Sequence, residues 1–199
     1  MKLVLIEQPK DEIISLKETK NYLRIEHDFD DELLKMLIKS TRTAMEAIIQ
    51  KSIMAQTWKY TIDHRSVSNS RCEKRDIAHV SCGVITIPLP KSPVVEVLNV
   101  KMRQETMETT DYSLEKIGNK CCVILNCKSM ASKKINYPII IKYKAGISDK
   151  VENIPYQLKL ANLMLVANAY QERYSYSQNN VISQSVKELL MPFLNLRIF

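Results

Sequence analysis

The stretch IIIKYKAGISDKVENIPYQLKLANLMLVANAYQERY, residues 139–174, joins a predicted strand to a predicted helix that is apolar around most of its circumference. Between Leu158 and Tyr170 only Lys159, Asn162 and Asn168 are strongly polar. A surface helix of a small globular domain normally has a single apolar stripe. This helix is therefore expected to have more than one neighbour.

A helical wheel of residues 155–174 separates two apolar faces. One carries Leu158, Leu165 and Ala169, and the other carries Leu160, Leu163, Ala167, Tyr170 and Tyr174. Two polar strips lie between them, one made of Gln157, Asn168, Gln171 and Glu172, the other of Lys159, Asn162 and Arg173. One neighbour is expected to be an amphipathic helix at 31–50, and the second is either a sheet or another copy of the protein. We interpret Leu160, Leu163, Ala167, Tyr170 and Tyr174 as a subunit interface.

Capping signals predict two helices upstream of this region. Ser15 and Glu18 form a capping-box pattern for a short helix ending near Arg24. Asp30 or Asp31 is expected to cap a second helix to about Gln50. Its predicted buried face is Leu33, Leu34, Leu37, Ile38, Ala44, Met45, Ile48 and Ile49, and its predicted solvent face is Lys35, Lys39, Arg42 and Glu46.

The central residues are rich in strand-forming side chains. Predicted strands are TWKYTID (57–63), VITI (84–87), VVEVLNVKM (94–102), DYSLEKI (111–117), CCVILN (121–126) and PIIIKYK (138–144). Gly118-Asn119 predicts a tight hairpin, and residues 63–83 are predicted to form a long loop. The expected fold is α+β: a small helical bundle from residues 1–54 and 151–199, with an antiparallel β subdomain, 55–150, inserted into it.

The end of the sequence is apolar. Ser185 and Glu188 suggest another capping box before a short helix that Pro192 stops. Leu189, Leu190, Phe193, Leu196, Ile198 and Phe199 follow as an apolar set. Such a set either packs in its own core or is a docking peptide.

No catalytic, metal or cofactor site is predicted. Three glycines in the whole chain leave no phosphate-binding glycine loop. His27 lies beside Asp28 and Asp30, an arrangement more typical of a solvated turn than of an acid–base pair, and the aspartates of DFDDE (28–32) are interpreted as helix caps. The cysteines at 72, 82, 121, 122 and 127, with His79, match no zinc spacing and are interpreted as packing residues. The protein is therefore predicted not to be an enzyme.

The net charge of +7 is compatible with a polyanionic partner. Much of the excess is scattered along 101–150, as Lys116, Lys120, Lys128, Lys133, Lys134, Lys142 and Lys144. The start of the sequence has no signal-peptide pattern, and no segment approaches the length of a membrane span. We expect a protein that is made in a cytoplasm and keeps its thiols reduced.

Several segments, in order, resemble the bacteriophage head–tail connector family, also called head-completion or adaptor proteins. They are SLKETKNYLRIEHDFDDELLKMLIKSTRTAMEAII, QTWKYTID, ITIPLPKSPVVEV, DYSLE, IIIKYKAG, IPYQLKLANLMLVANAYQER and LLMPFLNLRIF. These are patterns of packing and turn residues, and they cover most of the chain apart from about 63–83 and 127–137. The loop at 63–83 corresponds to no part of the family pattern.

The resemblance implies a structural subunit. It implies a ring, commonly of twelve copies, that lies beneath the portal of a capsid, extends the DNA channel and presents a platform to a tail-side stopper or tail protein. Related rings occur in gene transfer agents and defective prophages. On this basis the C-terminal tail, from Leu189 to Phe199, is predicted to dock on the portal, and DNA is expected to pass without sequence-specific recognition. An alternative is a basic DNA-binding accessory protein of a phage or prophage.

Overall fold

The computed structural model describes residues 1–63, 79–81, 84–102, 105–118, 120–126, 138–172 and 183–194. The chain forms two compact units, one of Met1–Gln8 with Ala55–Gly146 and one of Pro9–Met54 with Ile147–Phe199. The first is built from strands and the second from helices, so the fold is α+β. The predicted helical core included all of residues 1–54. Its start is corrected, because Met1–Gln8 belong to the unit built from strands.

Nine strands and four α-helices occur within the described ranges. The strands are β1 (Lys2–Glu7), β2 (Gln56–Ile62), β3 (His79–Ser81), β4 (Val84–Pro88), β5 (Val94–Met102), β6 (Glu105–Thr106), β7 (Tyr112–Ile117), β8 (Lys120–Asn126) and β9 (Ile139–Ala145). The helices are α1 (Leu16–Leu23), α2 (Asp31–Ile49), α3 (Tyr156–Gln171) and α4 (Gln184–Leu190). None of these described helices is long and apolar enough to cross a membrane.

The strand unit contains two antiparallel sheets that share one core. The five-stranded sheet has the order β1-β2-β9-β5-β6, and the four-stranded sheet has the order β3-β4-β8-β7. The shared core is made of alternate residues from both sheets, including Tyr60, Ile141, Ile87 and Val123. The sequence predicted one antiparallel sheet, because strand periodicity identifies strands without showing how they divide between layers.

Six predicted strands correspond to β2, β4, β5, β7, β8 and β9, with ends that differ by at most one residue. The β7–β8 hairpin also forms as predicted, with Ile117 opposite Lys120 and Gly118 at φ +60°, a conformation that glycine adopts without strain. The predicted loop 63–83 is corrected at His79–Ser81, which forms β3. Trp58 is half-buried and packs against the core of this unit.

The helical unit begins with the predicted capping box. The Ser15 hydroxyl accepts from the Glu18 amide at 3.2 Å, and the Glu18 carboxylate accepts from the Ser15 amide at 2.7 Å. Helix α2 spans the predicted range and packs against α3, where the Thr41 hydroxyl donates to Asn162 Oδ1 at 2.6 Å. Asn162 is fully buried, which corrects its place on a predicted polar strip.

The predicted solvent face of α2 is wrong at two charged positions. Arg42 and Glu46 are 3% and 4% exposed, whereas Ala44, predicted to be buried, is exposed. Arg42 Nε donates to Glu12 Oε2 at 2.6 Å, and Arg42 Nη1 donates to Glu46 Oε2 at 3.1 Å. Glu46 Oε1 also accepts from the Ile53 amide at 2.8 Å. These contacts form a buried ionic network that ties the segments before α1 and after α2 to the middle of α2.

Cap positions differ from the predictions at two helices. Helix α4 is capped by Ser183, whose hydroxyl accepts from the Val186 amide, and not by Ser185. Asp30 occupies the N-cap position of α2 but makes no side-chain capping bond. Its carboxylate accepts instead from the Tyr170 hydroxyl at 2.5 Å, so it links the start of α2 to α3.

Candidate functional site

Helix α3 has one buried face and one face that is largely accessible. Leu158, Ala161 and Val166 are fully buried in the core of the helical unit. On the other side Tyr156 is 82% exposed and Leu160 is 42% exposed. Residues four apart follow one another along a helix surface, so Tyr156 and Leu160 continue the predicted apolar face.

A groove of about 460 Å³ lies beside these residues. It is lined by Ile14, Glu18, Tyr156, Gln157, Lys159, Leu160, Leu163 and Leu189. Segments from α1, α3 and α4 therefore meet at one surface. Two of the predicted interface residues, Leu160 and Leu163, lie here together with Leu189 from the predicted tail.

A second groove lies further along α1 and α3. It is lined by Tyr22, Leu23, Arg24, Met164, Ala167, Asn168 and Gln171, and it contains the predicted interface residue Ala167. Residues 160, 164, 167 and 171 are spaced by three or four along α3, so the two grooves follow one face of the helix. We refer to the residues that line them as the α1–α3 face.

The first groove has an apolar floor and a charged rim. Hydrogen bonds from the backbone and side chain of Ser15, with a smaller contribution from Lys159, lower the pKa of Glu18. The Lys159 ammonium lies 5.7 Å from the centre of the Tyr156 ring, within the range of a cation–π contact. An apolar centre surrounded by polar groups is typical of protein interfaces, in which exposed tyrosines often supply binding energy.

The remaining predicted interface residues are placed differently. Tyr170 is half-buried, packs against the helical core and donates its hydroxyl to Asp30. Tyr174 lies outside the described residues. Tyr156 was not predicted as an interface residue, although its position four residues before Leu160 would have identified it.

Part of the predicted docking tail is packed in its own subunit. Leu190 is 1% exposed, which corrects its assignment to a docking surface, and Leu189 and Phe193 are half-buried against the same core. Leu196, Ile198 and Phe199 lie outside the described residues.

The segment before α2 is organised by charge pairing. Lys20 Nζ lies 2.5 Å from Asp28 Oδ1 and 2.9 Å from Asp31 Oδ1. The bond to Asp28, followed by that to Asp31, raises the pKa of Lys20, and Lys20 lowers the pKa of Asp28. The His27 ring lies 5.7 Å from the ring of Phe29, which is 95% exposed. Phe29 is therefore a further exposed aromatic residue of this unit.

No group of residues within the described ranges has the composition of a metal site. Cys121 and Cys122 are free thiols on β8, and burial raises the pKa of Cys122. A raised pKa leaves less of the nucleophilic thiolate at neutral pH. Cys72, Cys82 and Cys127 lie outside the described residues.

The chain is similar to known proteins in two ways, through a sequence family and through solved structures. The sequence model of the family described as "Head completion protein" matches residues 12–188. No curated protein matches the chain.

Three similar solved chains come from gene transfer agent (GTA) particles, and each comparison covers 100% of this chain and 98% of the other. "Neck of empty GTA particle computed with C6 symmetry" gives a TM-score of 0.75 at 15% identity. "Virion of native gene transfer agent (GTA) particle" gives 0.71 at 16%, and "Neck of native GTA particle computed with C12 symmetry" gives 0.70 at 14%. At these identities the similarity is one of fold.

Proposed function

The chain belongs to the head completion protein family, and from this membership we propose that it is a structural subunit of a phage-type head–tail junction that assembles as a ring beneath the portal. The observation that carries the assembly step is the α1–α3 face. Its exposed Tyr156 and Leu160 lie over an apolar groove that the described residues of the helical unit leave open.

The stoichiometry of the ring is proposed from the similar structures. Two of them are particle necks computed with C6 and C12 symmetry. A ring of twelve copies fits both symmetries. In a closed ring each subunit contributes two different surfaces, because contacts between neighbours are head-to-tail. We assign the α1–α3 face to one of these surfaces.

Attachment to the portal is assigned to the end of the chain. Leu196, Ile198 and Phe199 are apolar residues that follow the packed part of the tail. Because Leu190 is buried in its own core, docking is now assigned to the residues after Leu194 alone. A short apolar peptide seated in a groove of the portal would release bound water and gain affinity from buried area.

The other parts of the proposal follow from this position in the virion. The ring extends the channel through which DNA passes without sequence-specific contacts, and its far side binds a stopper or tail protein. Before assembly the subunit resides in the cytoplasm of the bacterial host. Its role is structural and not enzymatic.

The interface assignment is tested by Leu160→Glu. A glutamate at an apolar contact leaves an unpaired charge on assembly, which costs about 3 kcal/mol or more. This corresponds to a roughly hundredfold weaker contact between neighbours. Mass measurement of the protein alone and mixed with portal rings is expected to show the wild type adding twelve copies, and Leu160→Glu adding few or none.

Met36→Glu is the matched control. Met36 is 62% exposed on α2 of the same unit and lines neither groove. It makes the same change from an exposed apolar residue to glutamate and is expected to leave assembly intact. Equal assembly by Leu160→Glu and Met36→Glu would refute the role of the α1–α3 face.

The docking assignment is tested by replacing Leu196, Ile198 and Phe199 with serine. Co-purification with the portal should be lost, while the melting temperature stays within a degree or two of the wild type. Arg197→Ser, a change in the same segment that keeps its apolar residues, should bind normally. Undiminished portal binding by the triple variant would refute the docking role.

A further inference from the structure

The register of the five-stranded sheet gathers lysines on one face. Pairing aligns Lys2, Thr61, Ile140 and Lys101 in one row across β1, β2, β9 and β5, and Val4, Lys59, Lys142 and Asn99 in the next row. Directly paired residues point to the same side of a sheet. The rows that alternate with these contain Tyr60, Ile141 and Val100 of the core, so the lysine rows lie on the face away from it.

We refer to Lys2, Lys59, Lys101 and Lys142 as the lysine face. Lys2 and Lys142 are exposed, and Lys59 and Lys101 are half-buried. Neither row contains a carboxylate. Over the ranges of the chain that the structure describes, none of the four lysines forms an ion pair.

Among the described residues, carboxylates occur beyond these two rows. At the edge next to β5, Glu105 lies opposite Met102, and Glu108 lies two residues after Thr106, the partner of Lys101. The carboxylates closest along the strands have other contacts. Glu7 lies at one end and accepts from the Thr57 hydroxyl at 2.9 Å, and Glu96 lies opposite Lys144 in the same row. At the other end Asp63 lies 3.8 Å from the N-terminal amine. Within the part of the chain that the structure describes, the four lysines therefore have no carboxylate in their own rows across β1, β2, β9 and β5.

This arrangement has an energetic cost in the free protein. Lys59 and Lys142 are directly opposite each other on neighbouring strands, and like charges in such positions destabilise a sheet. A negatively charged surface placed over the face would relieve this repulsion. Because these lysines lower the stability of the free protein, we expect their role to be the binding of a partner.

The chemistry of the two rows indicates which polyanion fits. Neighbouring strands are about 4.8 Å apart, so the lysines cover about 14 Å from β1 to β5. Long lysine side chains contact phosphates as point charges and carry no sequence information. Single-strand binding uses aromatic platforms for base stacking, and neither row contains an aromatic residue.

We propose that the lysine face binds the phosphate backbone of duplex DNA, without sequence preference. The proposal rests on the proposed function for the source of the duplex, which is the DNA that passes through the ring. It assigns that contact to the sheet of the strand unit, whereas assembly is assigned to helices.

The test uses the full-length free protein and a duplex of random sequence over a range of salt concentrations. Four phosphate contacts predict a slope of log K against log salt of about −3.6. The double variant Lys59→Gln with Lys142→Gln should reduce the slope by about 2 and weaken binding roughly a hundredfold at 50 mM salt. Replacing both residues with arginine should preserve binding.

The matched control is Lys17→Gln with Lys39→Gln. Both lysines are exposed in the helical unit, and the change in net charge is the same. This variant should bind DNA within a few-fold of the wild type. An equal loss in the two double variants would overturn the proposal, because it would show that only net charge matters.

Two further measurements separate the alternatives. Poly-glutamate at the same charge concentration should bind much more weakly than the duplex, and equal binding would favour an acidic protein partner and overturn the DNA assignment. The Lys59/Lys142 glutamine variant should melt at or above the wild-type temperature, and a lower value would contradict the repulsion argument.

Ring formation with portal, measured on the same variants, distinguishes this proposal from the proposed function. The glutamine variant should still form rings while it loses DNA affinity. If the wild type binds DNA through these lysines but forms no ring, the proposed function fails and the DNA site stands.

Discussion

Replacing Glu46 with alanine is expected to destabilise the helical unit far more than a change at a surface glutamate. Glu46 is 4% exposed and accepts from both Arg42 and the Ile53 amide. Glu46→Ala leaves the buried Ile53 amide without this acceptor, at a cost of about 1–3 kcal/mol. It also removes one of the two carboxylates that neutralise the buried Arg42, while Glu12 remains at 2.6 Å.

We expect a total loss of about 3 kcal/mol. Removing one partner of a buried ion pair typically costs about 3–5 kcal/mol, and the retained Glu12 contact places this variant at the lower end. For a protein of this size about 1 kcal/mol corresponds to about 2–4 °C, so the melting temperature should fall by about 6–12 °C. A change of this size is a large share of the stability of a typical domain.

The assay follows the two units with separate signals. Circular dichroism at 222 nm reports mainly on the helices, and fluorescence of Trp58, the only tryptophan, reports on the strand unit. The transition followed at 222 nm should shift by the full amount in Glu46→Ala.

Glu32→Ala is the control, because Glu32 is 88% exposed and pairs with Lys35 at 2.7 Å on the same helix. Exposed pairs contribute about 0–1 kcal/mol. If the two variants melt within 2 °C of each other, the argument from the buried network is wrong. The double variant Arg42→Met with Glu46→Leu should recover only the part of the loss that comes from the buried charge of Arg42. The Ile53 amide still lacks its acceptor in this variant.

Three further predictions concern local contacts. Folding lowers the pKa of Glu18, so Glu18 adds to the free energy of unfolding above its unfolded pKa, and this contribution is lost as pH falls through its folded pKa. Glu18→Gln should therefore make the free energy of unfolding fall less steeply at acid pH, and an unchanged slope would rule out this contribution. Thr41→Val removes the hydroxyl bonded to Asn162 and should cost about 1–3 kcal/mol in urea unfolding, whereas Thr43→Val, at an exposed position of the same helix, should cost less than about 0.5 kcal/mol. Gly118→Ala should lower stability by about 1 kcal/mol, because the site has φ +60° but open space around it; a cost near zero would mean that the hairpin rearranges.

Local signals in the sequence predicted local structure well. The Ser15–Glu18 capping box and the range of α2 were predicted from neighbouring residues, because caps and helical periodicity depend on contacts within about four positions. The six predicted strands were likewise identified from local sequence, because each is a short run of strand-forming side chains. The Gly118 hairpin depends on a single residue with a favoured positive φ.

Contacts between distant residues were not predictable in this way. Strand β1 pairs with residues 57–61. No turn signal next to residues 2–7 indicates that they pair with a strand about 50 residues later. Arg42 and Glu46 have the spacing of an exposed pair on a helix. Only the approach of Glu12 and Ile53 makes their burial tolerable. The lysine face is likewise a product of register, since its four members come from four different strands.

The candidate interface was partly predictable. The excess of apolar residues on α3 indicated a second contact face, and Leu160 and Leu163 do line a groove. Helix α1 also lines the two grooves, through Glu18 and Tyr22. This could not be predicted, because the sequence does not show which helix lies beside α3.

Both units are assembled from segments far apart in the chain, and this sets when the protein can fold during its synthesis. Strand β1 is made long before β9, which lies at the centre of its sheet and begins at Ile139. The helical core likewise cannot form until Leu158, Val166 and Leu190 have been synthesised. At about 5–20 residues per second a ribosome needs about 3–12 s to add the residues after 139. Throughout that time the nascent chain exposes apolar strands and helices, so chaperone protection during translation is expected to affect the yield of this protein more than that of one built from consecutive segments.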